Sequence, residues 1–408
     1  MDGAVRKIDT QRFKRATRGT PREVNRRILL NLVREHEPIS RADLARRLKM
    51  SRGMVTSLVN ELIGEGLIYQ GATANAPRGR KPRLLHIRAH DRLVVGVDIR
   101  RRQTHLLLAD FGGTEIALER FRTPADLETL LDELEARVTR LIRAHADQGE
   151  CQGVGLVVPG LVDSETGVVL NAPTLGWKNV DVRSALEGRL PVPVSIERDA
   201  VACALAKIWS GEREQSYNFA YVTVSDGVGA GLVVNGQVVR GREHAAGEFG
   251  HVPLNLDGPP CFCGNRGCWE AYTSNPATVA RYLGRELKAP PQSLDNGDTD
   301  LNIESVIARS ASGDRAAREA LEATGRYLGI GIAAIINALA PEEIIVGGEV
   351  TAAWDVVAPA LTEAMASRVL TEAAASTPVH AEPSDRDTRL QGAVVLVTGP
   401  EFAAPVIA

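Results

Sequence analysis

The sequence is poor in cysteine and has no long apolar run, and each lack closes off a class of protein. Five cysteines in 408 residues give no disulfide framework, so a reducing cytosol is the expected setting. No stretch is long and apolar enough to span a bilayer, and the charged N-terminus lacks the apolar core of a signal peptide. What is present is an apolar fraction of 44%, ample for the cores of two or three domains. The net charge of −3 hides an asymmetry: residues 1–88 carry 20 Lys+Arg against 8 Asp+Glu, leaving 28 against 43 in the remainder. A head of +12 on a body of −15 points to a nucleic-acid module joined to something else.

The basic head reads as three short helices. Thr20, Pro21 and Glu23 of "TPREVNRRILLNLVREH" form a capped helix start, followed by an apolar face of Val24, Ile28, Leu29, Leu32 and Val33. Ser40 and Asp43 repeat the signal, with Leu44, Ala45 and Leu48 on the buried side. After a short turn Ser51 caps a third helix, whose apolar residues are Met54, Val55, Leu58, Val59, Leu62 and Ile63. That spacing predicts a helix-turn-helix. Ser51, Arg52, Thr56 and Ser57 would face the major groove. Strands at Leu67–Tyr69 and Leu84–Ile87 would add a wing. Its loop carries Arg78, Gly79, Arg80 and Lys81 between two prolines, a composition suited to an A·T-rich minor groove. The expected divisions are a basic arm at 1–19, a winged helix-turn-helix at 20–90 and an α/β body at 91–408.

In the body, strands such as "LVVGVDI", "GVGLVVPG" and "EEIIVGGEV" alternate with helices such as "LETLLDELEARVTRLIRAHAD". The most specific stretch is "GEFGHVPLNLDGPPCFCGNRGCWEAY", the loop of residues 248–270 and its flanks. Cys261, Cys263 and Cys268 fall within eight residues, and His251 lies ten before the first. Three thiolates and one imidazole make a closed tetrahedral set, so one structural zinc per chain is expected, with no open position for hydrolysis.

Through its Cys-x-Cys-Gly-x-x-Gly-Cys-x-Glu run the chain resembles the ROK family of repressors, open reading frames and kinases, in its regulator branch. The resemblance implies a two-lobed, actin-like sugar-kinase body. Within it Glu248 and His251 of "GEFGH" and Glu270 of "GCWEAY" match sugar-hydroxyl contacts. Gly160 of "VPGLVD" matches the loop beneath the sugar, and Asp199 of "ERDA" the proton-accepting aspartate of the kinases. Where the family has Asn before that aspartate, this chain has Arg198, which leaves room for an anionic ligand.

A second lack concerns glycine. Family kinases place Gly-Gly-Thr-Lys after the first strand's aspartate, so that backbone amides can approach ATP phosphates. Here Asp98-Ile99 leads into Arg100-Arg101-Arg102-Gln103. Three long side chains would crowd that pocket, and phosphoryl transfer depends on positioning more than on added charge. The expectation is a non-enzymatic, cytoplasmic, sugar-responsive repressor that binds operator DNA as a homodimer or dimer of dimers. The competing readings are an ATP-dependent sugar kinase with a DNA-binding head, and a regulator controlled by a protein partner.

Overall fold

A computed structural model describes residues 22–73, 83–210, 217–285 and 301–403. The head comprises α1 (Arg22–His36), β1 (Ile39–Ser40), α2 (Arg41–Leu48), α3 (Arg52–Gly64), β2 (Ile68–Thr73) and β3 (Arg83–Ile87). The cap signals act as expected: Ser40 Oγ accepts from Asp43 N at 3.2 Å and Ser51 Oγ from Met54 N at 3.3 Å. Leu29, Leu44, Leu48, Leu58 and Leu62 close the core between the three helices. The sheet has three strands, ordered β1-β3-β2; the short β1 carries no sequence signal of its own. Thr20, Pro21 and the loop residues Arg78, Gly79, Arg80 and Lys81 lie outside the described residues, as does the arm at 1–19.

The body begins with β4 (Arg92–Ile99), β5 (Gln103–Asp110), β6 (Glu115–Arg122), α4 (Leu127–Ala144) and β7 (Glu150–Val158). A small sheet of β8 (Leu161–Asp163), β9 (Val168–Ala172) and β10 (Trp177–Asp181) follows, then α5 (Val182–Glu187), β11 (Val194–Arg198) and α6 (Asp199–Ser210). Next come β12 (Phe219–Val224), β13 (Val228–Val234), β14 (Gln237–Val238), α7 (Trp269–Thr273), α8 (Asn275–Tyr282), α9 (Ile303–Ala311) and α10 (Arg315–Leu339). The chain ends with β15 (Glu343–Gly347), α11 (Trp354–Ala366), α12 (Glu372–Ala375), β16 (Val379–Ala381) and α13 (Thr388–Phe402).

Two five-stranded sheets result, ordered β11-β7-β4-β5-β6 and β14-β13-β12-β15-β16. Each mixes parallel and antiparallel pairs, because a hairpin (β4/β5, β12/β13) is joined to strands reached by crossover. Both have helices against them, which accounts for continuous apolar strands such as Leu93–Val97 and Ile344–Val346. Helix α13 packs on β4 and β7 of the first sheet, α6 packs on β12 and β13 of the second, and the two helices pack on each other. The sheets therefore meet through this helix pair. Among the described residues no helix is long and apolar enough to cross a membrane.

Candidate functional site

A cavity of roughly 720 Å³ opens between the two sheets, within the range of small-ligand sites. Gly160, Asp199, Glu248, His251 and Glu270 all line it, although they come from four separate segments of the chain. Gly160 sits in the turn between β7 and β8 at φ +95°, and a Cβ there would stand 2.3 Å from the Asn171 carbonyl oxygen. Only glycine lets that turn form the floor. Asp199 opens α6 directly after β11, so the strand end aims it into the cavity. Glu270 is 9% exposed. Its Oε2 accepts from Val228 N at 3.0 Å, and its Oε1 lies 3.5 Å from Cys261 Sγ. Burial pushes its carboxyl above the ordinary range, against the pull of His251 and the Val228 amide.

Several arginines also line the cavity. Arg198, 4% exposed, pairs with Glu248 and donates to the Ala246 carbonyl. The residue that departs from the family pattern thus engages one of the expected sugar contacts. Arg100 turns back from the β4/β5 turn onto Asp98 and reaches both oxygens of Asp387, at 2.9 and 3.0 Å. Arg389 sits 3.0 Å from the other Asp98 oxygen and 3.6 Å from Asp199. Asp387 also meets His105 Nδ1 at 3.1 Å. Burial alone would raise the Asp387 carboxyl, but His105, Arg100 and Arg389 outweigh it and hold it at about 2. Asp98, His105 and Asp387 lie close enough to hold a metal ion. Two guanidinium groups already supply the positive charge there.

The three-arginine turn solves its backbone problem without glycine. Arg100 N donates to Gln103 O at 3.2 Å, and none of the four residues has a positive φ. Thr123 completes it from the end of β6, donating its hydroxyl to Arg100 O at 2.7 Å and its amide to Arg102 O at 3.0 Å.

His251, Cys261, Cys263 and Cys268 come together, their ligand atoms all within 4.8 Å of one another. His251 Nδ1 lies 3.6 Å from Cys261 Sγ, and Cys263 Sγ lies 3.6 Å from Cys268 Sγ. Tetrahedral zinc with bonds of about 2.0–2.3 Å sets ligand atoms roughly 3.5–3.8 Å apart, so the donors fit the ion. The loop is shaped by its own backbone: Cys261 N donates to Asn265 O at 2.9 Å, Gly264 N to Cys261 O at 3.0 Å and Gly267 N to Pro259 O at 2.7 Å. Trp269 N donates to Val252 O at 2.9 Å, which draws His251 alongside Cys268. His251 Nε2 is left facing Glu248, 3.8 Å away.

On the head, Ser51, Arg52, Thr56 and Ser57 are all exposed on the first turns of α3. Their hydroxyls are engaged within the chain. Ser51 caps the helix, Thr56 Oγ1 donates to Arg52 O at 2.8 Å, and Ser57 Oγ accepts from Arg22 at 2.8 Å. Met54, read from the sequence as part of the apolar face, is instead 48% exposed. It lies in the first turn of α3, just after the Ser51 cap.

Residues 94–399 match the model of the ROK family, and residues 20–79 that of the MarR family. The chain belongs to the ROK family. Its head is a MarR-type winged helix. The xylose repressor of Bacillus subtilis (strain 168) is 29% identical over 357 residues, covering 86% of this chain and 88% of the repressor. A solved ROK family transcriptional regulator, described as a homolog of the E. coli MLC protein, superposes with TM-score 0.77 at 26% identity. The match covers 93% of this chain and 97% of that one. A ROK family glucokinase from Streptomyces griseus, solved with glucose and AMPPNP, superposes with TM-score 0.63 at 26% identity. It covers 76% of this chain and 99% of its own. The body is therefore sugar-kinase-like, with the DNA-binding head as the addition. Sequence reasoning missed Asp387, Arg389 and the Arg198–Glu248 pair, none of which carries a local motif.

Proposed function

We propose that this ROK chain is a DNA-binding transcriptional repressor whose cleft takes a sugar or sugar derivative, and that its kinase chemistry is lost. The observation that carries this is the ionic cluster at the base of the cleft. Arg100 and Arg389 lie on Asp98, and Arg389 also on Asp199. The groups a kinase would keep for phosphate and for the sugar proton are thus already paired inside the chain. Residues 20–90 are the DNA-binding unit, residues 91–408 the effector-binding and dimerising unit, and the assembly is a homodimer or dimer of dimers in the cytoplasm.

In this assignment Gly160, Asp199, Glu248, His251 and Glu270 meet the hydroxyls, since carboxylates and imidazole accept and donate in the directions a sugar ring presents. Arg198 adds a cationic donor. His251, Cys261, Cys263 and Cys268 would hold one zinc ion, which cross-links the loop and has no open position for a substrate. His251 then serves metal and ligand together, through opposite ring nitrogens.

A random-sequence duplex library selected with the full chain tests the DNA half of the proposal. Bound duplexes should share a two-fold site, and affinity should fall steeply with salt, as expected where a head of +12 meets phosphates. Arg78→Ala with Arg80→Ala should weaken A·T-flanked duplexes most. Equal loss on G·C flanks would reduce those residues to phosphate contacts. A thermal-shift screen of xylose, glucose and anionic sugars tests the effector half, and a chain insensitive to every sugar would support control by a protein partner.

A further inference from the structure

We propose that Gly53 and Met54 contribute to the sequence preference of the recognition helix. The proposal rests on the head's binding of DNA. Ser51 Oγ and Ser57 Oγ each accept one bond within the chain, Thr56 Oγ1 donates one to Arg52 O, and Asn60 Oδ1 accepts from Arg41 at 3.2 Å, so these side chains are oriented by the fold before DNA arrives. Arg52, Gly53 and Met54 are what the first turn projects outward. A Cβ on Gly53 would meet nothing within 4 Å, so the fold does not require glycine there. Glycine inside a helix costs stability that alanine would restore. Its use is explained by something approaching from outside, and a helix N-terminus in the major groove is approached by DNA. Met54 stands next to that gap, 48% exposed. An apolar side chain at a base edge reads the thymine methyl group.

The test uses a duplex selected by the full-length chain. Gly53→Ala should raise the melting temperature while weakening that duplex at least tenfold, leaving a scrambled duplex unaffected. Opposite signs separate contact from misfolding. Replacing each thymine in turn with deoxyuridine removes only the methyl group. The parent should lose three- to tenfold affinity at one position per half-site, and Met54→Ala should be indifferent there. Unchanged binding by Gly53→Ala, a site lacking such a thymine, or the same sensitivity in Met54→Ala would each overturn the assignment.

A separate observation links cleft and head. The geometry points to α6 and α13 as a paired strut that carries the state of the cleft to α1. At the cleft end stand Asp199, first residue of α6, and Arg389, in the first turn of α13, 3.6 Å apart. At the far end stand Trp209 and Phe402, their rings 6.2 Å apart. Arg34 of α1 closes over both, 4.5 Å from the Trp209 ring centre and 4.9 Å from that of Phe402. Asn31 Nδ2 donates to Phe402 O at 2.8 Å and Arg27 to Pro400 O at 3.1 Å. One apolar cluster runs unbroken from Leu29 and Leu44 in the head to Val201, Leu205, Trp209, Leu390 and Phe402. Between the ends the helices touch backbone to backbone: a Cβ at Gly392 would lie 2.3 Å from Ala202 O. Helices of 12 and 15 residues reach about 18 and 22 Å. Close-packed helices transmit a shift of one end with little absorbed between.

A double-mutant cycle on operator affinity tests this without any sugar. Substitutions this far apart ordinarily multiply to within about twofold. Arg389→Met at the cleft should change affinity at least fivefold in the parent and less than twofold in Arg34→Ala. Asp387→Asn, a milder cut at the α13 cap, should behave likewise and covers the case in which Arg389→Met does not fold. The same fold-change in both backgrounds, or no change from either cleft variant, would overturn the strut.

Discussion

Protein purified without chelators is expected to hold one zinc ion per chain, and Cys263→Ser to hold none. Three buried or half-buried thiols and an imidazole, their ligand atoms within 4.8 Å of one another and two pairs at 3.6 Å, have no reason to be gathered by an apolar core. Burial and the neighbouring Glu270 push the Cys261 thiol far up, so it becomes a thiolate only where a cation binds it. Metal binding of this kind is folding free energy, about 10–16 kcal/mol in small zinc peptides. Here the loop rests on a large lobe, and part of its shape comes from backbone hydrogen bonds that survive without metal. The cost should therefore be about 3–5 kcal/mol, or roughly a 10 °C fall in melting temperature for a lobe of this size. His251 would swing away from Glu248, so sugar-induced stabilisation should vanish as well. Cys151→Ser, distant from the cluster, should keep its zinc. Metal analysis that finds no zinc in the unmodified chain would refute the assignment, and zinc retained by Cys263→Ser would move the ligand elsewhere.

The parts of this molecule that were legible in the sequence are those whose physics is local. Caps at Ser40 and Ser51 act within three residues, and the cysteine spacing encodes a loop that closes on itself. The head's three helices and the body's main strands follow from periodicity for the same reason. Helix α13 was not legible. Its sequence "TRLQGAVVLVTGPEF" holds two glycines, a proline and a run of valines, all poor helix formers. The structure reveals what overrides propensity: Gly392 admits the α6 backbone, and Gly96 and Gly155 let β4 and β7 approach the helix. The ion pairs of Arg389 with Asp98 and Asp199 bridge nearly 200 or more residues and leave no trace at either end. Met54 fails differently. Its helical spacing fits the apolar face, yet α3 is not covered at its first turn, so periodicity assigned to the core a residue that faces outward.

With ATP and its cognate sugar, the chain is expected to release ADP no faster than background, below about 10⁻³ s⁻¹, where kinases typically turn over at 1–100 s⁻¹. Asp199 decides this. One Asp199 oxygen accepts from Ala200 N at 2.7 Å and the other faces Arg389 at 3.6 Å, an ion pair that competes with proton transfer from a sugar hydroxyl while leaving lone pairs that can accept a hydrogen bond from one. Arg100 meanwhile sits on Asp98 at the end of the strand where the kinases place a glycine turn. In the proposed site Asp199 serves as a sugar contact. A hydrogen bond to a charged group is worth about 1.5–3 kcal/mol, so Asp199→Ala should weaken the sugar at least tenfold and abolish its effect on DNA. Arg389 retains Asp98 in that variant, so operator affinity without sugar should stay within about threefold of the parent. Sugar-stimulated ADP release by the unmodified chain, lost in Asp199→Ala, would show a working base and make this a kinase that also binds DNA. Loss of operator binding in Asp199→Ala that persists in the Arg34→Ala background would instead make the residue structural, and the sugar would have to be placed elsewhere in the cleft.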